Sequence, residues 1–424
     1  MLPKPVGTQI LVTFLIMDNG ELIPHLFRTE YRKIVAVLCN RFGFDQVEIA
    51  EDIASETFLT ATQAWGLGGV PPNPPAWLYN VAKNKAKNYL QRNITFESKV
   101  SAEIINRTPG YYETEIDLSP QNINDSQLQM MFAICNPIIT AEAQIGLSLR
   151  ILCGFGIQEI ADAFLSNKET INKRLFRAKE KLRELKIKIE FPAPAEIDER
   201  LAPVLTTIYL LFNEGYYSIS QDKTLRKELC LEAMRLCTML VENQNTNKPQ
   251  VNALLSLMCF HASRFEARFN KNGEHILYEA QDTCLWNTDL ISKGGYFLSC
   301  AASGNKLSKY HIEAEIAYWG TQRADTKEKW ESVLQLYNQL LQIEYSPVAA
   351  LNRTYALSKA NGKKEAIIEA EKLELTSNHF YFALLGELYT GIDDLKAKEH
   401  FAKALSLAKS DGDKRSIIKR MDEL

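Results

Sequence analysis

The sequence predicts an all-α fold, and three observations carry that prediction. Apolar residues recur every three or four positions through most of the chain, as one face of a helix requires. No stretch alternates apolar and polar residues in the manner of a half-buried strand. The interruptions fall at Gly66 to Pro75, Thr95 to Asp125, Phe191-Pro192-Ala193-Pro194 and Gly304 to Ser308, where turn and loop residues gather. At 424 residues, with 46% hydrophobic and 24% charged, the chain is too long for one compact core and is expected to form two to four domains.

The apolar run Ile10 to Met17 is too short to span a bilayer and has no small-residue cleavage site, so neither a membrane helix nor a signal peptide is expected. Helical periodicity starts only after Asp18-Asn19-Gly20. Residues 1–17 are therefore expected to be a non-structural extension, with Met17 as an alternative start.

The first module is expected over residues 18–95. Val47, Ala50, Ile53, Ala54, Thr57, Phe58, Ala61 and Trp65 form one apolar stripe, leaving Glu48, Asp52, Ser55, Glu56 and Thr60 outside it. Such an acidic face flanked by aromatics suits a basic protein surface, although an ordinary soluble helix has the same pattern. Pro74-Pro75 then starts another helix. There Leu78, Val81, Ala82, Tyr89 and Leu90 turn inward while Asn80, Lys83, Asn84, Lys87, Asn88 and Gln91 face out. Amides can read base edges and lysines neutralise phosphate. The loop Gly66 to Asn73 either accepts an unstacked base or simply joins two helices.

Residues 96–125 lack helical periodicity and include Glu97, Glu103, Glu113, Glu115 and Asp117, so they read as a solvated acidic linker. The second module is expected over 126–190. Gly156 to Leu165 reads as a short helix, and Ser166 or Asn167 caps a second one running through Lys188. Ile171, Leu175, Ala178, Leu182 and Leu185 form the seam of that second helix. Its other side carries Thr170, Asn172, Lys173, Arg174 and Arg177, which a helix-turn-helix can bring to base edges in the major groove. A solvated basic face is the alternative reading of the same residues.

Beyond Pro194 the pattern is helical to the end, divided into an extension over 198–325 and a loosely repeating part over 328–424. Ala349, Leu351 and Tyr355 recur as Ala383, Leu385 and Tyr389, and Ala366, Ala370 and Leu373 as Ala397, Phe401 and Ala404. The spacing resembles tetratricopeptide hairpins, in which small residues let helices approach; an irregular bundle is the alternative.

Net charge is only −3, so any nucleic-acid surface must be local. Basic residues do cluster, at Lys83 to Arg92 and at Lys168 to Lys188. The eight cysteines include no C-x-x-C pair and lie mostly among apolar residues, which fits a reducing cytoplasm. The tail Met421-Asp422-Glu423-Leu424 lacks the leading Lys or His of a retention signal.

Taken in order, Ala50 to Leu59, Pro75 to Ala86 and Gly156 to Arg183 resemble regions 2 and 4 of an extracytoplasmic-function sigma factor, over roughly the first 190 residues. The resemblance implies a polymerase specificity subunit of the sigma-70 family. It implies that Asp52, Ser55, Glu56 and Phe58 bind core RNA polymerase, that Asn80, Lys83, Asn84, Lys87 and Asn88 engage the −10 element of promoter DNA, and that Thr170, Asn172, Lys173, Arg174 and Arg177 read the −35 element. The linker would pass through the polymerase cleft. Tyr209 to Tyr216, Met258 to Arg268, Gln281 to Trp286 and Ser346 to Arg353 resemble the long C-terminal extension of one sigma subgroup, which ends in tetratricopeptide-like helices. Many members of that subgroup close on a Gly-Gly-Trp-Arg type tail, whereas this chain ends Ile417-Ile418-Lys419-Arg420-Met421 before its last residues, so no contact of that tail carries over.

Glu214, Arg264, Glu266, Arg268, Gln281, Asp282 and Trp286 form a polar constellation that reads either as an Arg/Glu network joining helices or as an active site. His311, Glu313 and Glu315 lack metal-ligand helical spacing, and there is no phosphate loop or nucleophile elbow. The expectation is a cytoplasmic, non-catalytic transcription factor with no metal or cofactor, whose C-terminal half takes a regulatory protein or ligand. Two other readings stand beside it: a helix-turn-helix regulator with a helical sensor that does not bind polymerase, and a fused enzyme using Glu214, Arg264 and Asp282.

Overall fold

The computed structural model describes residues 19–100, 116–164, 166–216, 223–268, 276, 278–304, 306–408 and 411–424. Among these the secondary structure is helical, with no strand, as the periodicity predicts. The expected extension at 1–17 and half of the acidic linker, 101–115, lie outside the described residues. The chain divides into two compact units, one ending at Leu211 and the other beginning at Phe212.

The first unit is built on α1 (Asn19–Phe42), whose Leu26, Tyr31, Ile34, Val35, Leu38 and Cys39 are wholly enclosed. On it packs α2 (Val47–Gly68) through the stripe read from the sequence, from Ala50 to Trp65. Next comes α3 (Pro74–Val100), which buries Leu78, Ala82 and Ala86. Trp77 meets Trp65 edge to face at 5.3 Å, so it serves packing.

The helix α4 (Pro120–Ile134) starts earlier than the expected Ser126, because Ser119 caps it and Pro120 takes its first turn. It packs directly against α1. Then follow α5 (Ala141–Leu147), capped by Thr140, and a turn of π-helix over Ser148–Leu152. Gly154 at φ +76° lets the backbone pass the carbonyl of Arg28, which an added Cβ would meet at 3.1 Å. The helices α6 (Ile157–Ala163) and α7 (Lys168–Glu184) form the expected helix-turn-helix pair. Asn167 caps α7, its side chain accepting from the Thr170 amide at 2.8 Å.

Two further details differ from the sequence reading. The helix α7 stops at Glu184 rather than Lys188, because Lys186 adopts φ +50° and the Ile187 amide turns back to the Leu182 carbonyl at 3.0 Å. Leu185 is accordingly exposed instead of closing the seam. The other difference concerns α8 (Ile197–Tyr216), expected to begin the C-terminal extension. Its Leu201, Val204, Leu205 and Ile208 are buried, Thr207 donates to Gln144 at 2.7 Å, and Arg200 donates to the Phe132 carbonyl at 2.9 Å. The start of the extension thus belongs to the first unit's core.

The second unit runs through α9 (Lys223–Glu242), α10 (Pro249–Ser263), α11 (Thr288–Ala301), α12 (Lys309–Trp319) and α13 (Lys327–Ile343). It continues with α14 (Pro347–Ala360), α15 (Lys363–Glu371), α16 (His379–Tyr389), α17 (Asp394–Leu407) and α18 (Asp411–Asp422). The hydrophobic helix α10 is buried nearly all round and packs against α9, α11 and α12. From α13 onward each helix packs on the next, with Ala366, Ala370, Ala397 and Ala404 at the buried contacts. No described helix is long and apolar enough to cross a membrane.

Candidate nucleic-acid interface

The candidate residues on α3 recur at intervals of three and four, which places them along one stripe. Asn80, Asn84, Lys87 and Asn88 are exposed and Lys83 is half-buried. At the start of this stripe a hollow of about 360 Å³ is bounded by Tyr79, Asn80 and Lys83 on α3 and by Ile116, Asp117 and Leu118. The chain returning from the linker therefore lies beside the amide and ammonium groups.

On α7, Thr170, Asn172, Lys173 and Arg177 are exposed in the first turns, where a docked helix offers side chains to a groove. Arg174 is half-buried, its guanidinium 5.6 Å from the centre of the Phe164 ring on the preceding turn. Lys173 pairs with Glu169 at 2.6 Å. Phe176 stands 61% exposed beside Arg177, an apolar side chain that the sequence reading did not single out.

On α2, Asp52, Ser55 and Glu56 are exposed, and Glu56 pairs with Lys85 at 3.1 Å. Phe58 differs from its expected role. Its ring is buried and packs edge-on to Phe27 at 5.0 Å, so it supports α2 from beneath and offers a partner nothing.

The adjoining carboxylates of α2 hold the helix-turn-helix. Glu51 accepts from Lys179 at 2.6 Å and from Arg150 at 2.7 Å, while Glu48 lies 3.4 Å from Lys179 and pairs with Arg183. Both Glu51 and Lys179 are buried, so this is an enclosed ion cluster. Arg150 also reaches the Tyr31 hydroxyl at 3.4 Å, and burial pushes that phenol up to about 12. A further link joins Arg28 of α1 to Glu159 of α6. None of these cross-links was read from the sequence. The signal was present in Lys179, which falls at the apolar spacing of Leu175 and Leu182 and so had to point inward.

The polar constellation of the C-terminal half does not assemble as one network. Glu266 pairs with Lys227 at the surface, Asp282 caps a short turn at the Cys284 amide, and Arg268 donates to the Tyr216 carbonyl at 2.7 Å. Burial raises the Glu214 carboxyl. Arg264 opens onto a cavity. Among the described residues no group of three or more His, Cys, Asp or Glu has metal-binding geometry.

Comparison with known proteins fits this arrangement. The family described as Sigma-70 region 2 matches residues 26–94, covering α2 and most of α1 and α3. A family of unknown function, DUF6596, matches residues 200–302. An uncharacterized protein of Rhizobium meliloti (strain 1021) is 32% identical over 387 residues, covering 90% of this chain and 91% of its own length. No solved structure matches. The chain thus carries a sigma-70 region 2 domain, which supports a sigma-70-family factor. Proteins of the sigma-70 family are non-catalytic transcription factors, and a region 2 domain supports binding to core RNA polymerase and promoter DNA.

Proposed function

We propose that this protein is a sigma factor of the extracytoplasmic-function subgroup, acting in the cytoplasm without catalysis of its own. Region 2 is carried by α1 to α3 and region 4 by α4 to α7. The −10 element is engaged by Asn80, Lys83, Asn84, Lys87 and Asn88. The −35 element is read by Thr170, Asn172, Lys173, Arg174 and Arg177, and polymerase docks on Asp52, Ser55 and Glu56. The helices from α8 onward form a regulatory extension that ends in tetratricopeptide-like hairpins.

One observation supports this reading most. The polar stripe of α3 and the first turns of α7 are both open to solvent in a single unit, although neither face is needed for packing. Spanning two promoter elements requires α7 to leave α2, so the Glu48/Glu51 ion cluster belongs to a closed form and productive binding needs an opened one.

Run-off transcription with core polymerase tests the assignment. Arg177→Ala and Asn172→Ala each remove a base-edge or phosphate contact and lower −35-dependent transcription about tenfold, the effect of roughly 1–3 kcal/mol per specific contact. Asn84→Ala shifts −10 preference while leaving −35 dependence intact. Parental behaviour by all three variants refutes the site assignment, and failure of the full chain to associate with core polymerase refutes the sigma reading.

A further inference from the structure

The second unit has an open cleft of about 650 Å³ between α12, α13, α14 and α16. That volume lies within the range of small-molecule sites. Its walls carry the rings of Tyr278, Trp319, Trp330, Tyr337 and Tyr355. Cations outnumber carboxylates among the lining residues, and the surplus is specific. Lys359 is neutralised by Glu279 at 2.9 Å and Asp325 at 3.4 Å, and Arg420 by Glu387 at 3.0 Å. Lys363 donates to the carbonyls of Glu387 and Thr390 at the rim.

Arg264 and Lys329 are left. Among the described residues neither has a carboxylate within 4.0 Å. Lys329 is 4% exposed and donates to the Tyr278 hydroxyl at 3.2 Å and the Gln322 carbonyl at 2.9 Å, while the Asp325 carboxylate that pairs with Lys359 acts on it from beyond 4.0 Å. Arg264 lies over the rings of Tyr278 and Trp286 at 5.3 and 5.9 Å, and its Nε is buried with no hydrogen-bond partner. Both cations sit against the same Tyr278 ring, Lys329 at 5.4 Å. A buried and a half-buried cation with no carboxylate in direct contact leave positive charge that an anion joining them would offset.

We propose that this cavity binds a small organic anion, with its acid group between Arg264 and Lys329 and a flat or apolar body against Trp330 and Trp319. Cation–ring contacts already hold both side chains in place, so the site is preformed and binding orders little. The surrounding rings lower the local dielectric and so strengthen the charge–charge attraction. This inference is independent of promoter recognition and stands or falls separately from it.

The test uses the full-length protein and two fluorescent probes of the same aromatic body, 8-anilinonaphthalene-1-sulfonate and its uncharged counterpart N-phenyl-1-naphthylamine. The sulfonate is expected to saturate one site with energy transfer from tryptophan, and to bind at least tenfold more tightly than the neutral probe. Arg264→Gln should weaken the sulfonate at least tenfold while Arg264→Lys, which keeps the charge, should weaken it less than threefold. Unchanged thermal unfolding by circular dichroism in both variants excludes a folding defect as the cause. Lack of saturable sulfonate binding, equal binding of the two probes, or indifference of the sulfonate to Arg264→Gln overturns the proposal. Displacement of the bound sulfonate by a hexaglutamate peptide at micromolar concentration also overturns it, because the occupant would then be an acidic protein segment.

Discussion

Replacing Glu51 by Gln keeps its shape but takes one carboxylate from Lys179 at 2.6 Å and from Arg150 at 2.7 Å. Lys179 would then be an enclosed ammonium facing only Glu48 at 3.4 Å. Removing one partner of a buried pair costs about 3 kcal/mol, so Glu51→Gln should lower the urea midpoint of the first unit's transition accordingly. An unchanged midpoint would mean that the cluster is solvated in solution. Burial also governs the thiols. It raises Cys39 and Cys237, and it takes Cys135 to about 11 and Cys259 to about 12, while Cys284 is exposed and Cys300 half-buried. At pH 8 the thiolate fraction of the buried set is negligible, so a disulfide reagent should modify two cysteines rapidly in the native protein and all eight after denaturation.

The repeating helices give a test at the scale of the element. A Cβ added at Gly386 on α16 would lie 2.8 Å from three ring atoms of Phe401 on α17, and Phe401 is 1% exposed. Neither helix can move without disturbing its other neighbour, so Gly386→Ala should cost about 1–3 kcal/mol by overpacking, read as a fall in the second unit's unfolding temperature. An indifferent Gly386→Ala would mean that α16 and α17 are less closely packed than described. Elements were the level at which the sequence was most legible. The stripe on α2, the proline start of α3 and the Asn167 cap of α7 each follow from a local rule that tertiary structure leaves intact. The start of α4 was missed because Ser119-Pro120 stands among acidic residues that resemble a linker, and the cap only appears once the helix behind it is seen. Phe58 was misassigned as a contact although it falls on the apolar stripe, because the motif outweighed the periodicity.

At the scale of the whole molecule, the division after Leu211 decides where the chain can be shortened. A fragment ending at Glu190 loses Leu201, Val204, Leu205 and Ile208 from the first unit's core, together with the Thr207 and Arg200 hydrogen bonds. Each buried aliphatic side chain contributes about 1.5–3 kcal/mol, so that fragment should unfold or aggregate at a temperature where one ending at Leu211 keeps its helical circular dichroism. Equal melting of the two fragments would sink the assignment of α8 to the first core. Long-range pairing of this kind is what the sequence conceals. Nothing local announces that Lys179 meets Glu51 or that Thr207 meets Gln144, because such contacts depend on the docking of helices far apart in the chain.

The ion cluster on α2 has a consequence for how strongly any basic partner can hold that helix. While α7 is seated, Glu48 and Glu51 are already occupied, and only the fraction of molecules in which it has lifted away is competent to offer them. If seating is favoured by about 3 kcal/mol, the apparent affinity of a partner that needs those two carboxylates falls about a hundredfold below the intrinsic one. A second molecule that merely loosened α7 would restore that factor without touching the partner, making the helix a surface whose strength is set from elsewhere.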